Sequence, residues 1–121
     1  MEPVSLFDLA AKQAQWLSVR QSAIAGNIAN ANTPGYRRKD VDFHDTLRAA
    51  FAQGADQAPQ ALDNVSFTTQ TDSNGVMQAD GNGVDIDVEN ADLAKNGLEY
   101  ESLVTVARAR IDILKYAMGT P

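Results

Sequence analysis

The stretch FDLAAKQAQWLSVRQSAIAGNIANA, residues 7–31, sets Phe7, Ala10, Ala14, Leu17, Gln21, Ile24, Ile28 and Ala31 at alternating spacings of three and four. That alternation draws one continuous stripe down an α-helix, broken only by Gln21. The pattern returns at the other end, where Ile86, Asn90, Leu93, Gly97, Tyr100, Val104, Ala107, Ile111, Leu114 and Met118 keep the same period, with Asn90 and Gly97 as weak points. Asp85, Asp87, Glu89 and Asp92 open this second helix, and Arg108, Arg110 and Lys115 lie near its end. A helix dipole favours that order of charges. The sequence therefore predicts a mainly α chain, with an amphipathic helix over 1–33, another over 85–118, and the two packed as a coiled-coil-like hairpin. The expected helix seam consists of Leu17, Ile24 and Ile28 against Tyr100, Val104, Ile111 and Leu114, with further contacts to other subunits.

The helix ends are written in turn chemistry. Pro34 disfavours the α conformation at Thr33, and Pro34-Gly35 suits the centre of a type II turn, so the first helix is expected to stop near Asn32. Asn96-Gly97 is a competing stop inside the second helix, where glycine costs roughly 1 kcal/mol relative to alanine. The longer apolar period on both sides favours one continuous helix there.

Between the helices, residues 34–84 read as a turn and an irregular middle. Over residues 45–80 five aspartates and one arginine give a net charge of -4, with a short helical turn predicted around Thr46 to Phe51 and extended pieces around Val65 to Thr69. Neither piece has enough apolar neighbours in sequence to form a core. The whole of 1–121 reads as a single domain without internal repeats.

Two helices of about 27 to 33 residues, each ~40 to 50 Å long, share only one narrow seam. Such a hairpin buries too little surface to offset the entropy of ordering the chain. The missing surface is expected from other subunits.

Composition narrows the alternatives. The chain has 121 residues, no cysteine, and 16 acidic against 10 basic side chains. Without cysteine there is no disulfide and no thiolate site, and the acidic balance argues against nucleic acid as a partner. Residues 1–11 hold neither lysine nor arginine, so a cleaved secretory signal is not expected, and no apolar stretch approaches the ~18 to 20 residues of a membrane span. His44, the only histidine, has no nucleophile-and-base pattern around it and is expected at a solvated or interface position. Gly81-Asn82-Gly83 lacks the third glycine of a dinucleotide fingerprint and reads as a turn. The run Asp80, Asn82, Asp85, Asp87, Glu89 fails the calcium-loop pattern at the required glycine and at the final glutamate, and a charged helix start accounts for it. Arg37, Arg38 and Lys39 form the only basic run, and Asp40 and Asp42 follow it, so an interface or solvated patch is expected. No enzyme activity, cofactor or metal is expected.

The run NIANANTPGY at 27–36, followed by RRKDVDF at 37–43, resembles the amino-terminal signature of the bacterial flagellar rod, hook and hook-associated protein family. LFDLA at 6–10, WLSVRQ at 16–21 and GNGVDIDVE at 81–89 are similar to proximal rod members, while 45–80 lies outside the similarity. The resemblance makes Asn27, Asn30, Asn32, Thr33, Pro34, Gly35 and Tyr36 an assembly signature. It implies a structural subunit in the proximal rod of the basal body, transmitting torque from the motor ring to the distal rod and hook. Implied partners are other rod subunits, basal-body ring components and the flagellar type III export apparatus, with export into the periplasm-spanning rod without signal cleavage and no direct membrane insertion. The short middle argues against hook and distal rod members, which insert large domains between the helices. Another rod subunit, or a small helical adaptor or export chaperone, is the alternative. Gly83 and Asn96-Gly97 depart from the family pattern and are expected to loosen the second helix locally.

Overall fold

The computed structural model describes residues 6–52, 54, 58–72 and 77–119. Helix α1 spans Leu6–Ala29, strand β1 Lys39–Asp40, α2 His44–Phe51, α3 Ala58–Asp63, β2 Gln70–Thr71 and α4 Ile86–Ala117. The two long helices dominate and pack on each other. They run antiparallel, since Asn96 of α4 bonds to Leu17 and Gln21 of α1, while Glu89 bonds to Asn27.

Helix α1 ends at Ala29, short of the expected stop near Asn32, and residues 30–32 continue as turns. Helix α4 is continuous through Asn96-Gly97, as its period predicts. Asp85 is its N-cap, with a side chain accepting from the amides of Asp87 and Val88. The first-turn acids Asp87 and Glu89 then face the positive end of the dipole.

The middle is better anchored than its composition suggests. The expected helical turn is α2, and the expected extended piece at 65–69 stays irregular, passing into a two-residue pairing of β2 with β1, Lys39 opposite Thr71 and Asp40 opposite Gln70. Helix α3 packs on both α2 and α1 and buries Leu62. Lys12 Nζ on α1 donates to the carbonyls of Asp63 and Val65, both at 3.2 Å, and Trp16 Nε1 donates to Val41 O at 2.9 Å. Phe43 lies 5.0 Å from the Trp16 ring and 5.7 Å from Phe67. The apolar neighbours that the middle lacks in sequence are thus supplied by α1.

Helix α4 has 32 residues against 24 in α1. Every residue from Arg108 to Gly119 is exposed, including Ile111, Ile113, Leu114, Tyr116 and Met118. A helix segment apolar on several faces is ordinarily an enclosed one.

Candidate functional site

The signature asparagines work from inside the molecule. At Asn27, in the last turns of α1, the amide is wholly buried and uses its full bonding capacity. Its Nδ2 donates to Lys39 O at 2.8 Å and Glu89 Oε2 at 3.1 Å. Its Oδ1 accepts from the Lys39 amide at 2.9 Å and the Tyr36 hydroxyl at 3.2 Å. One side chain thereby ties α1, the turn, β1 and α4 together.

Beside it lies an ion pair between the buried Glu89 and the half-buried Arg38. Arg38 Nε donates to Glu89 Oε1 at 2.8 Å, and Arg38 Nη1 to Asp72 Oδ2 at 2.9 Å, with Asp40 and Asp92 slightly farther off. Burial opposes the guanidinium charge, but the bonds to Glu89 and Asp72 outweigh that and hold its pKa above the ordinary arginine value. Arg38 therefore stays charged at every pH at which the protein is folded. The run 37–39 was expected at an interface or in a solvated patch; Arg38 instead turns inward onto Glu89 and Asp72, and Arg37 and Lys39 are exposed. Glu89, expected only as a helix-opening charge, is fully buried.

The turn has a second buried support. Asn82 Nδ2 donates to the carbonyls of Asn30 at 2.9 Å and Thr33 at 2.6 Å, and its Oδ1 accepts from the Val84 amide at 2.7 Å. These are carbonyls that the end of a helix leaves without partners inside the helix. Asn30 Nδ2 bonds back to Gly26 O at 2.8 Å, and Thr33 Oγ1 donates to Asn30 Oδ1. The Tyr36 amide closes on Thr33 O at 3.2 Å and Gly35 has φ 75°, which is the expected type II turn around Pro34-Gly35. Gly81 also has positive φ, and a Cβ there would sit 3.5 Å from Gly35 Cα. Two glycine turns thus meet face to face, joined by the Gly35 amide on Asp80 O and the Gly83 amide on Tyr36 O.

Of the signature, Asn27, Asn30, Thr33, Gly35 and Tyr36 share this network, while Asn32 and Pro34 are exposed. Of the seam, Leu17 and Ile24 are buried and Ile28 and Val104 half-buried. Ile111 and Leu114 are exposed, lying beyond the described residues of α1. Tyr100 is exposed as well, at the edge of an open cleft that it shares with Ala14 and Leu17. Asn96, expected to loosen α4, instead pins it: its Nδ2 donates to Leu17 O at 3.0 Å and Gln21 Oε1 at 2.8 Å. The break of the first stripe at Gln21 thus meets the buried Asn96 of α4, and a polar pairing of this kind fixes helix register.

The linear sequence did not mark Arg38 and Glu89 as partners, nor Asn82 and Asn96 as buried side chains that each hold carbonyls of α1 or its turn. A basic run facing an acidic helix start across the hairpin was the available signal for Arg38 and Glu89. The junction fixes the direction in which the chain leaves α1, and its buried groups are engaged with each other. Among the described residues no group of three or more histidine, aspartate or glutamate side chains is placed to hold a metal.

Gly35→Val is expected to cost about 1–3 kcal/mol, because a β-branched residue is strained at positive φ. The open space around a Cβ at that position means that the cost is conformational and not a clash. A urea unfolding midpoint equal to that of the unmodified chain would show that the turn relaxes freely.

A long helix ends in this asparagine-and-glycine turn and is returned upon by a second long helix, an arrangement without catalytic or metal-binding geometry among the described residues. Residues 10–37 match the family described as flagella basal body rod protein. The chain is 40% identical over 94 residues to the flagellar basal body rod protein FlgB of Agrobacterium fabrum, covering 69% of this chain and 70% of that one. It is 33% identical over 112 residues to FlgB of Bacillus subtilis, with 80% of each covered, and 32% identical over 106 residues to FlgB of Escherichia coli, with 76% and 77% covered. The chain belongs to the FlgB family of flagellar basal body rod proteins, which are structural and non-enzymatic rod subunits.

Proposed function

We propose that this subunit sits in the proximal rod, passes torque from the motor ring to the distal rod and hook, and contacts basal-body ring components as well as other rod subunits. It reaches that place through the flagellar type III export apparatus, without signal cleavage. The observation that carries the reading is the exposed apolar end of α4, where Tyr116 is 85% and Met118 73% exposed. Surface of that kind marks an interaction site. A subunit that passes torque also needs a stiff connection between its helices, and the junction of Asn27, Arg38 and Glu89 supplies one. Among the described residues no helix is long and apolar enough to cross a membrane, which suits a subunit held by its neighbours.

The test is complementation. Expressed in cells whose own proximal rod subunit has been deleted, the chain should restore complete basal bodies and swimming and should copurify with the rod. Basal bodies that remain truncated, with the chain exported and soluble, would overturn the reading.

A further inference from the structure

Three asparagines of the chain, Asn74, Asn82 and Asn96, are followed by glycine, and the first of them lies outside the described residues. Such a pair is chemically the least durable in a polypeptide, because the unhindered glycine nitrogen can attack the side-chain carbonyl before it. The fold blocks that attack at both described pairs. Asn82 is 0% and Asn96 2% exposed. The Gly83 amide donates to Tyr36 O at 2.8 Å, and the Asn82 side chain is tied to Asn30, Thr33 and Val84. Gly97 lies inside α4, where the helical ladder points its amide along the axis and away from the Asn96 side chain. Packing within the chain does not call for glycine there: a Cβ at 97 would meet nothing within 4 Å, and glycine is a poor helix former.

We propose that Asn82 and Asn96 are self-modification sites kept silent by the fold, so that the chain records the time it spends unfolded. In the unfolded chain the Gly83 or Gly97 nitrogen attacks the preceding Cγ. A bond forms between that nitrogen and Cγ, the bond from Cγ to Nδ2 breaks, and Nδ2 leaves as ammonia with the proton of the attacking amide. Water then opens the resulting succinimide ring at either carbonyl, giving aspartate or isoaspartate. Neither product fits the closed structure, because an ionised carboxyl has no hydrogen to donate. At position 82 the carbonyls of Asn30 and Thr33 would lose their donor and face a negative oxygen in its place. At position 96 Leu17 O and Gln21 Oε1 would lose theirs, and Asn96 Oδ1 already has no hydrogen-bond partner among the described residues, so the new charge would be buried without a donor on either oxygen. Isoaspartate adds a methylene to the backbone as well, which breaks the ladder of α4. A chain modified while open therefore cannot close again, and its unfolding becomes irreversible. This inference goes beyond the rod-subunit reading and stands without it.

The test ages the full chain at mildly alkaline pH, in buffer and in guanidinium chloride, and follows the peptides that carry Asn27, Asn82 and Asn96 by mass spectrometry. In denaturant Asn82 and Asn96 should convert at similar rates, about tenfold or more faster than Asn27, whose attacking amide is crowded by the branched side chain of Ile28. In buffer both should slow by about tenfold or more, because only the open population reacts. Gly97→Ala should slow Asn96 in denaturant by about tenfold and leave Asn82 unchanged, since only one attacking nitrogen is then hindered. On removal of denaturant the unconverted fraction alone should regain its helix signal. Asn82→Asp and Asn96→Asp, made directly, should each lower the ratio of folded to unfolded chain by about tenfold or more. Equal rates in buffer and denaturant would overturn the protection by the fold. Conversion at Asn82 and Asn96 no faster than at Asn27, or no effect of Gly97→Ala, would overturn the sites. Full recovery of helix by converted chain, or aspartate variants as stable as the unmodified chain, would overturn the irreversible record.

Discussion

Leu114→Asp is expected to abolish rod completion and swimming while shifting the unfolding free energy of the isolated chain by no more than about 0.5 kcal/mol. Leu114 is half exposed in the monomer, so a carboxylate there remains hydrated, and surface substitutions of that kind are close to neutral. Within an assembly the same carboxylate would be buried in an apolar contact without a partner, a cost of several kcal/mol repeated at every subunit. The same change at Ile24, which is 2% exposed, should fail by another route, by preventing the monomer itself from folding. Far-UV circular dichroism of both variants, with motility and basal-body completeness in complemented cells, separates the two. Swimming cells carrying Leu114→Asp would remove the exposed end of α4 from the interface.

Glu89→Ala should destabilise the isolated chain by about 3–5 kcal/mol, enough to remove most of its helix signal, since it leaves Arg38 and Asn27 facing a buried void in their network. The joint replacement Arg38→Met with Glu89→Leu should recover most of that loss, because replacing both members of a buried pair by apolar groups removes the unpaired charge along with the pair. The expected order of urea midpoints is the unmodified chain and the double variant close together, with Glu89→Ala far below. A single variant within about 1 kcal/mol of the unmodified chain would mean that water reaches Arg38 and that the junction is not a closed lock.

The long helices were legible because their apolar period runs through many turns, and the turn at Thr33 to Tyr36 because proline and glycine have narrow backbone preferences. What the sequence hid was pairing at a distance. Gln21 looked like a flaw in its stripe and Asn96 like half of a stop signal, and only the antiparallel register puts one against the other. Arg38 looked like part of a solvated run because its partners, Asp72 and Glu89, lie more than thirty positions away along the chain. Leu62 likewise has few apolar neighbours in its own segment and is buried where α3 packs on α2 and α1. The seam was over-extended for a related reason: period alone marks which face of α4 is apolar, and cannot tell where its intramolecular partner ends. At Ile111 and Leu114 the stripe continues past the described residues of the helix that it was expected to meet.

The make-up of the interior also governs how the chain responds to temperature. Among the described residues the fully enclosed set holds Asn27, Asn82, Glu89 and Asn96 beside eight apolar side chains, of which Ala23, Ala31 and Ala50 contribute little area. Exposure of apolar surface on unfolding raises the heat capacity, and exposure of polar surface lowers it. An interior so rich in amide and carboxylate groups therefore unfolds with a heat-capacity increment below the usual ~12–15 cal/mol/K per residue. Its stability curve is correspondingly flat, low at its maximum yet slow to fall on either side. On the proposed export route, where the chain is unfolded for passage and refolds at its destination, it is thus about equally easy to unravel in the cold and in the warm.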